Sequence, residues 1–214
     1  MRLCPAPPVH EILESSLISP FVWYLMLMQS VNRPFSTLRN IGFIRKYLTY
    51  DAAKIIIHAF VVSKLYYCNS LLYGLPSYLI RKLQHVQNSA ARLVSQCPRF
   101  CHITPVLRDL HWLPVFFRIE FKIMLITYKV LHEQAPIYIQ ELIQLYTPSR
   151  ILRSSNRNLL VKPYFNLNSY GKRAFSVAAP ELWSNLPEDI KSANSIDHFK
   201  RKLKTFLFKR AYES

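Results

Sequence analysis

Glycine is nearly absent from this chain: 3 residues in 214, against 14 prolines. Neither GxGxxG nor GxxxxGK[ST] occurs, so the glycine-dependent phosphate cradles of dinucleotide and P-loop proteins are excluded. Carboxylates are scarce too, with 12 Asp and Glu against 28 Lys and Arg. Two-metal polymerases and nucleases need several acids converging on paired divalent ions. Here Glu11 and Glu14 lie near the start, Glu188 and Asp189 are adjacent, and the other acids stand singly. Complete metal-dependent catalysis is therefore not expected. The 4 cysteines are Cys4, Cys68, Cys97 and Cys101. No cleavable signal precedes them, so free thiols in an intracellular, reducing compartment (nucleus or cytoplasm) are expected. Cys97 and Cys101, with His102 and His111 nearby, have a spacing that zinc permits. A second pair is missing and Pro98-Arg99-Phe100 is not a tight knuckle, so neither metal nor cofactor is expected.

Long apolar runs are also lacking. Ile12 to Met28 is strongly apolar, but Glu14 and Pro20 leave only Phe21 to Met28 uninterrupted. A span needs about 20 apolar residues, and acids at 11 and 14 have the wrong sign for a signal peptide. This segment reads as a buried or interfacial helix, with membrane attachment not favoured.

The chain does have enough apolar surface to fold. It is 50% hydrophobic and 14% aromatic, which argues against disorder. Its net charge of +16 points to a polyanionic partner. That charge is unevenly placed: net −1 over residues 1–28, +9 over 29–100, 0 over 101–147 and +8 over 148–214. A neutral middle thus sits between two basic flanks.

Periodicity makes most of the chain helical. A helix is expected from about Phe35 to Leu48. Thr49 should cap the next, whose apolar face is read as Ile55, Ile56, Ala59, Phe60 and Val62. After Gly74-Leu75-Pro76, Leu79, Leu83, Val86, Ala90 and Leu93 form a heptad-like stripe. Its other faces carry Arg81, Lys82, Gln84, His85, Gln87, Asn88 and Arg92. A short helix is expected over Pro105 to Leu113, then a nearly all-apolar one over Ile119 to Leu131, stopped by Pro136. Ile139 to Tyr146 reads as one more short helix. Beyond it, Arg150, Arg153 and Arg157 lie in a polar basic loop. Leu159–Val161 and Arg173–Val177 are read as short strands, and Pro180 to Trp183 as a turn or short helix. Ser195 should cap a last, basic helix with Phe199, Leu203, Phe206 and Leu207 inward.

Several strings are more specific than composition. They are Tyr67-Cys68-Asn69-Ser70-Leu71-Leu72-Tyr73-Gly74, Leu83-Gln84-His85-Val86-Gln87-Asn88-Ser89-Ala90-Ala91-Arg92 and Leu110-His111-Trp112-Leu113-Pro114-Val115 with Arg118-Ile119. Tyr170-Gly171-Lys172-Arg173-Ala174-Phe175-Ser176 and Ala179-Pro180-Glu181-Leu182-Trp183-Ser184-Asn185-Leu186-Pro187 follow, then Phe199-Lys200 with Leu203-Lys204. In this order, over about Val31 to Phe208, they resemble the carboxyl-terminal part of the polyprotein of non-LTR retrotransposons, LINE elements of the jockey and chicken-repeat type. That polyprotein is a reverse transcriptase, an RNA-directed DNA polymerase, with an amino-terminal endonuclease.

The resemblance implies a mainly α protein: a helical thumb-like region over 29–98, then a tail over 99–214. That tail is read as α+β, with a few short strands and a basic C-terminal helix. Residues 1–28 do not match and read as unrelated sequence joined to a truncated copy. The family's Tyr-any-Asp-Asp motif is absent, since Tyr50-Asp51 continues Ala52-Ala53, so no catalytic residue is assigned. In the family the thumb packs on the template–primer duplex. This carries Arg81, Lys82, Gln84, Gln87, Asn88 and Arg92 over as nucleic-acid-binding candidates. In the tail, Arg150, Arg153, Arg157, Lys172 and Arg173 are candidates for phosphate contact. His111, Trp112 and Trp183 are read as core. The expected activity is non-catalytic, sequence-independent binding of RNA or DNA duplex. The competing expectation is a helical interaction module that self-associates through the Leu79–Leu93 stripe, or a relic reading frame, with residues 12–28 as a membrane contact.

Overall fold

The computed structural model describes residues 34–67, 69–98, 100–147, 159–165 and 171–213. Among them the chain is mainly helical. Helix α1 covers 34–44 and ends in a 3-10 turn, Arg45–Tyr47. Helix α2 runs through Tyr50–Ile57, a π turn at His58–Val62, and Ser63–Tyr66. A 3-10 turn, Asn69–Leu72, leads to α3 (Ser77–Ser95), α4 (Ile103–Asp109), α5 (Val115–Leu131) and α6 (Ile137–Gln140). Then come α7 (Phe175–Ser184), α8 (Glu188–Lys191) and α9 (Ile196–Tyr212).

Four of the described prolines serve as helix openers. Pro76, Pro114, Pro136 and Pro187 stand immediately before α3, α5, α6 and α8, each with ψ between 141° and 152°. Proline needs no N–H partner there and its φ is already set. Pro136 therefore starts α6; it does not stop α5, which has ended at Leu131.

Scarce glycine leaves its mark at helix ends. Helices α3, α4 and α5 all close with a left-handed residue that is not glycine: Gln96 (φ 51°), His111 (φ 53°) and Glu133 (φ 55°). In each case the following N–H reaches back five residues to a last-turn carbonyl. Cys97 bonds Arg92 at 3.1 Å, Trp112 bonds Leu107 at 2.9 Å, and Gln134 bonds Lys129 at 2.8 Å. This is the Schellman closure, which normally uses glycine to avoid the Cβ penalty. Gln96→Gly is accordingly expected to stabilise the protein by about 1 kcal/mol. Gly74→Ala is expected to cost about 1–2 kcal/mol, since Gly74 has φ 71° and an added Cβ would meet Arg173 Cγ at 2.9 Å. Urea titrations of both variants check the pair, and opposite signs are the expected result.

Helix α5 is the hub. Ile119, Ile123, Met124 and Tyr128 are at most 2% exposed, and α3, α7, α9 and the Asn69–Leu72 turn all pack on it. The Leu79–Leu93 stripe of α3 is covered inside the molecule: Leu83, Val86 and Ala90 are buried against α2, α4 and α5. Leu79 and Leu93, at its ends, are half-buried. Residues on both sides of position 98 share one apolar cluster running from Leu38 to Leu207.

Three local expectations are corrected. In α2 the buried side is Ala53, Ile57, Val61, Val62 and Leu65, while Ile55 and Phe60 are exposed. The π turn carries about one residue more than an α turn, so residues four apart stay on one face. Leu159–Val161 is no strand: it makes one isolated antiparallel bridge, Leu160 with Leu145. Arg173–Val177 is not a strand either, because helix α7 begins at Phe175 and continues through Pro180 to Ser184. Val177, Ala178, Ala179, Leu182 and Trp183 are buried, the pattern of a helix covered on most sides. A short apolar run does not by itself distinguish that from a strand.

At the other end, Ser195 caps α9 by accepting the His198 N–H at 3.2 Å. Phe199, Leu203 and Leu207 are fully buried and Phe206 is half-buried.

Candidate nucleic-acid interface

The candidate residues of α3 divide into two sets. Arg81 and Lys82 are exposed, as is His85 beside them. The three amides point inward and perform a structural task. Gln84 Oε1 accepts the Val115 N–H at 2.9 Å, and its Nε2 donates to Asn88 Oδ1 at 2.8 Å. Gln87 is 0% exposed and donates from Nε2 to the Leu113 carbonyl at 2.8 Å. Together they pin the Leu113-Pro114-Val115 link, supplying an acceptor for the first N–H of α5 that no helical carbonyl reaches. Gln87 thus presents nothing to a phosphate, which corrects its assignment, and Gln84 and Asn88 already bond each other. Arg92 is half-buried and donates from Nη2 to the Cys101 carbonyl at 3.4 Å.

In the tail, Lys172 is exposed and lines a small cavity of about 200 Å³ with Tyr73 and Glu181. Burial, then the carboxylates of Glu181 and Glu120, push the Tyr73 hydroxyl above its ordinary pKa. Arg173 is half-buried against Gly74. Arg150, Arg153 and Arg157 lie outside the described residues, as does the 12–28 segment. Ile80, which precedes Arg81, lines the same cavity as Lys172.

A second basic surface emerges on α9. Several of its cations are neutralised: Lys200 pairs with Asp197 at 3.1 Å, Lys202 with Asp189 at 2.8 Å, and Arg210 with Glu120 at 3.3 Å. Arg201, Lys204 and Lys209 form no ion pair with a described carboxylate. His198, Arg201, Thr205 and Lys209 follow each other at helical spacing along an open groove of about 690 Å³ between α8 and α9. The sequence contains this signal, because positions 198, 201, 205 and 209 fall on one helical face. Surface lysines of an amphipathic helix look alike in sequence, however. Only the structure shows which have a carboxylate neighbour on α8 or α5.

Elsewhere the expected core aromatics are only partly core. Trp112 and Trp183 are buried, but His111 is exposed, because it occupies the left-handed closing position of α4. Cys97 and Cys101 are free thiols, and a hydrogen bond between the Cys97 thiol and Cys101, then burial, raises the Cys97 pKa. Among the described residues no three His, Cys, Asp or Glu side chains converge on a point that a metal ion would occupy. No described helix is long and apolar enough to cross a membrane. No protein-family model matches the sequence, no curated protein is significantly similar to it, and no solved structure matches its fold at a significant level.

Proposed function

We propose that this chain is a non-catalytic, mostly helical nucleic-acid-binding unit that holds RNA or DNA duplex through its backbone without reading sequence. In this reading it derives from the thumb and following region of a non-LTR retrotransposon reverse transcriptase, the family its ordered strings resemble. The observation that supports binding is the pair of cationic helical faces: Arg81 and Lys82 on α3, and Arg201 and Lys209 along the α9 groove. Rows of cations without carboxylate partners displace condensed counterions when they meet phosphates, and that release supplies sequence-independent affinity.

Filter binding of a mixed-sequence duplex across a series of salt concentrations tests the reading. Micromolar-range affinity that falls steeply with salt is expected. The double variant Arg201→Ala with Lys209→Ala should flatten the log–log salt slope by about 2, near one unit for each phosphate no longer neutralised. Arg81→Ala with Lys82→Ala should do the same. A salt-independent affinity, or slopes unchanged in both double variants, refutes it.

A further inference from the structure

Arg118 on α5 is a cation with no counter-ion among the described residues. It is 2% exposed, deeper than any other described arginine. Its Nε donates to the Leu113 carbonyl at 2.6 Å, while its buried Nη1 meets no acceptor. No described carboxylate pairs with it. The guanidinium lies over the Tyr66 ring at 4.6 Å and the Trp112 ring at 5.9 Å. Aromatic faces offset part of the cost of burying a charge, but an unpaired hydrogen-bonding group in a dry interior remains expensive. Burial lowers the pKa of the guanidinium, with Tyr66 and Tyr212 acting in the opposite sense.

The surroundings are built to hold that group where it is. Asn69 Nδ2 donates to the Arg118 carbonyl at 3.3 Å. Tyr212, from the end of α9, donates its hydroxyl to the Trp112 carbonyl and so fixes the wall against which the guanidinium lies. Arg118 lines a cavity of about 350 Å³ together with Tyr66, Trp112, Phe121, His58, His111 and Lys204. Among the described residues no Asp or Glu lines it. The exposed His111 is turned there by the left-handed closure of α4, and Lys204 comes from α9 without a described carboxylate partner.

We propose that this cavity is a binding site for a phosphate group, with Arg118 at its floor and Lys204 at its rim. Two cations, one buried and one exposed, match a phosphate monoester, which carries close to two negative charges near neutral pH, whereas a carboxylate would leave one of them unpaired. The proposal does not depend on the duplex-binding reading, because Lys204 is not among the residues lining the α8–α9 groove.

Calorimetric titration of the full chain at low ionic strength, with inorganic phosphate and separately with adenosine 5′-monophosphate, tests it. Saturable binding of one equivalent in the millimolar range or tighter is expected. Lys204→Ala should weaken it roughly three- to tenfold, and Arg118→Met should abolish it. Arg201→Ala with Lys209→Ala should leave it unchanged. Tighter binding of the nucleotide assigns the site to a phosphate carried on a nucleoside, and equal affinities assign it to free phosphate. Absence of saturable binding overturns the proposal. So does binding undiminished in Lys204→Ala, or abolished in the groove variant. Lys204 is exposed, so its variant decides the matter even if Arg118→Met fails to fold.

Discussion

Phe199→Ala is expected to remove about 3–5 kcal/mol of unfolding free energy, the cost of deleting a fully buried ring. That is a large part of the roughly 5–15 kcal/mol that holds a typical domain together. The ring is 0% exposed and lies parallel to Tyr128, with centroids 4.2 Å apart. Tyr128 stacks in turn on His132 at 3.9 Å, and Trp183 closes the group with its centroid 6.0 Å from Phe199. Three helices, α5, α7 and α9, therefore meet on this one side chain. The Tyr128 hydroxyl also donates to the Ala193 carbonyl at 2.7 Å, so a Tyr128 ring released from its stack endangers a buried hydrogen bond as well. Phe206, two turns away on α9 but half-buried, is the internal control. Phe206→Ala should cost about 1 kcal/mol, in proportion to the smaller area it covers. Urea midpoints at unchanged slope measure both. A Phe199→Ala midpoint no lower than that of Phe206→Ala would show that α9 does not anchor the hub.

The inward face of α9 and the Ile119–Leu131 part of α5 are legible in the sequence, although the first turn of α5, from Val115, is not. The cap of α9, Ser195, carries a side chain whose role is local. The α2 face is misread partly where the helical period fails, at the π turn over His58–Val62, though Ile55 is exposed in the regular turns before it. Helix α7 is misread where periodicity carries no information, because Val177 to Ala179 is apolar on consecutive positions. The amides of α3 show a subtler limit. Gln87 lies four residues after Leu83 and three before Ala90, on the flank of the buried stripe, so its burial is implied by spacing. Its partner, the Leu113 carbonyl, lies 26 positions away in sequence, and nothing local names it. The same holds for Arg45, whose Nε and Nη2 donate to the Leu93 and Val94 carbonyls at 2.8 Å and close the C-terminal end of α3. A basic residue that reads as surface charge is there a helix cap, favoured by the negative end of the macrodipole. The +16 balance accordingly overstates the charge offered to a partner. Arg45, Arg118 and Lys191 are buried, and Lys200, Lys202 and Arg210 face carboxylates.

The Arg210–Glu120 pair makes that last point measurable. The Glu120 side chain is 4% exposed and its Oε2 accepts from Arg210 Nη1 at 3.3 Å. Burial raises the Glu120 pKa above its ordinary 4.5, and Arg210 pulls it partly back. An acid whose folded pKa is raised contributes stability that is complete below its unfolded pKa and is lost as pH rises through the folded value. Arg210→Ala removes the lowering influence, so the folded pKa climbs further and the loss at neutral pH deepens. Breaking a fully buried pair costs about 3–5 kcal/mol. Arg210 is 47% exposed, so solvent screening reduces the expected cost to about 2 kcal/mol. The deficit relative to the parent protein should shrink as pH falls toward 4.5, where Glu120 becomes protonated in both folded and unfolded chains. Arg210 also lies over the Phe117 ring, at 5.5 Å, and truncation forfeits that packing at every pH. Adding Glu120→Gln to Arg210→Ala separates the two contributions: the pH-dependent part should vanish and the packing part persist. Urea midpoints of the three proteins, followed from mildly acidic to mildly alkaline pH, provide the comparison. A deficit in Arg210→Ala that stays constant across that range would mean that Glu120 is not held as a buried carboxylate by its partner on α9.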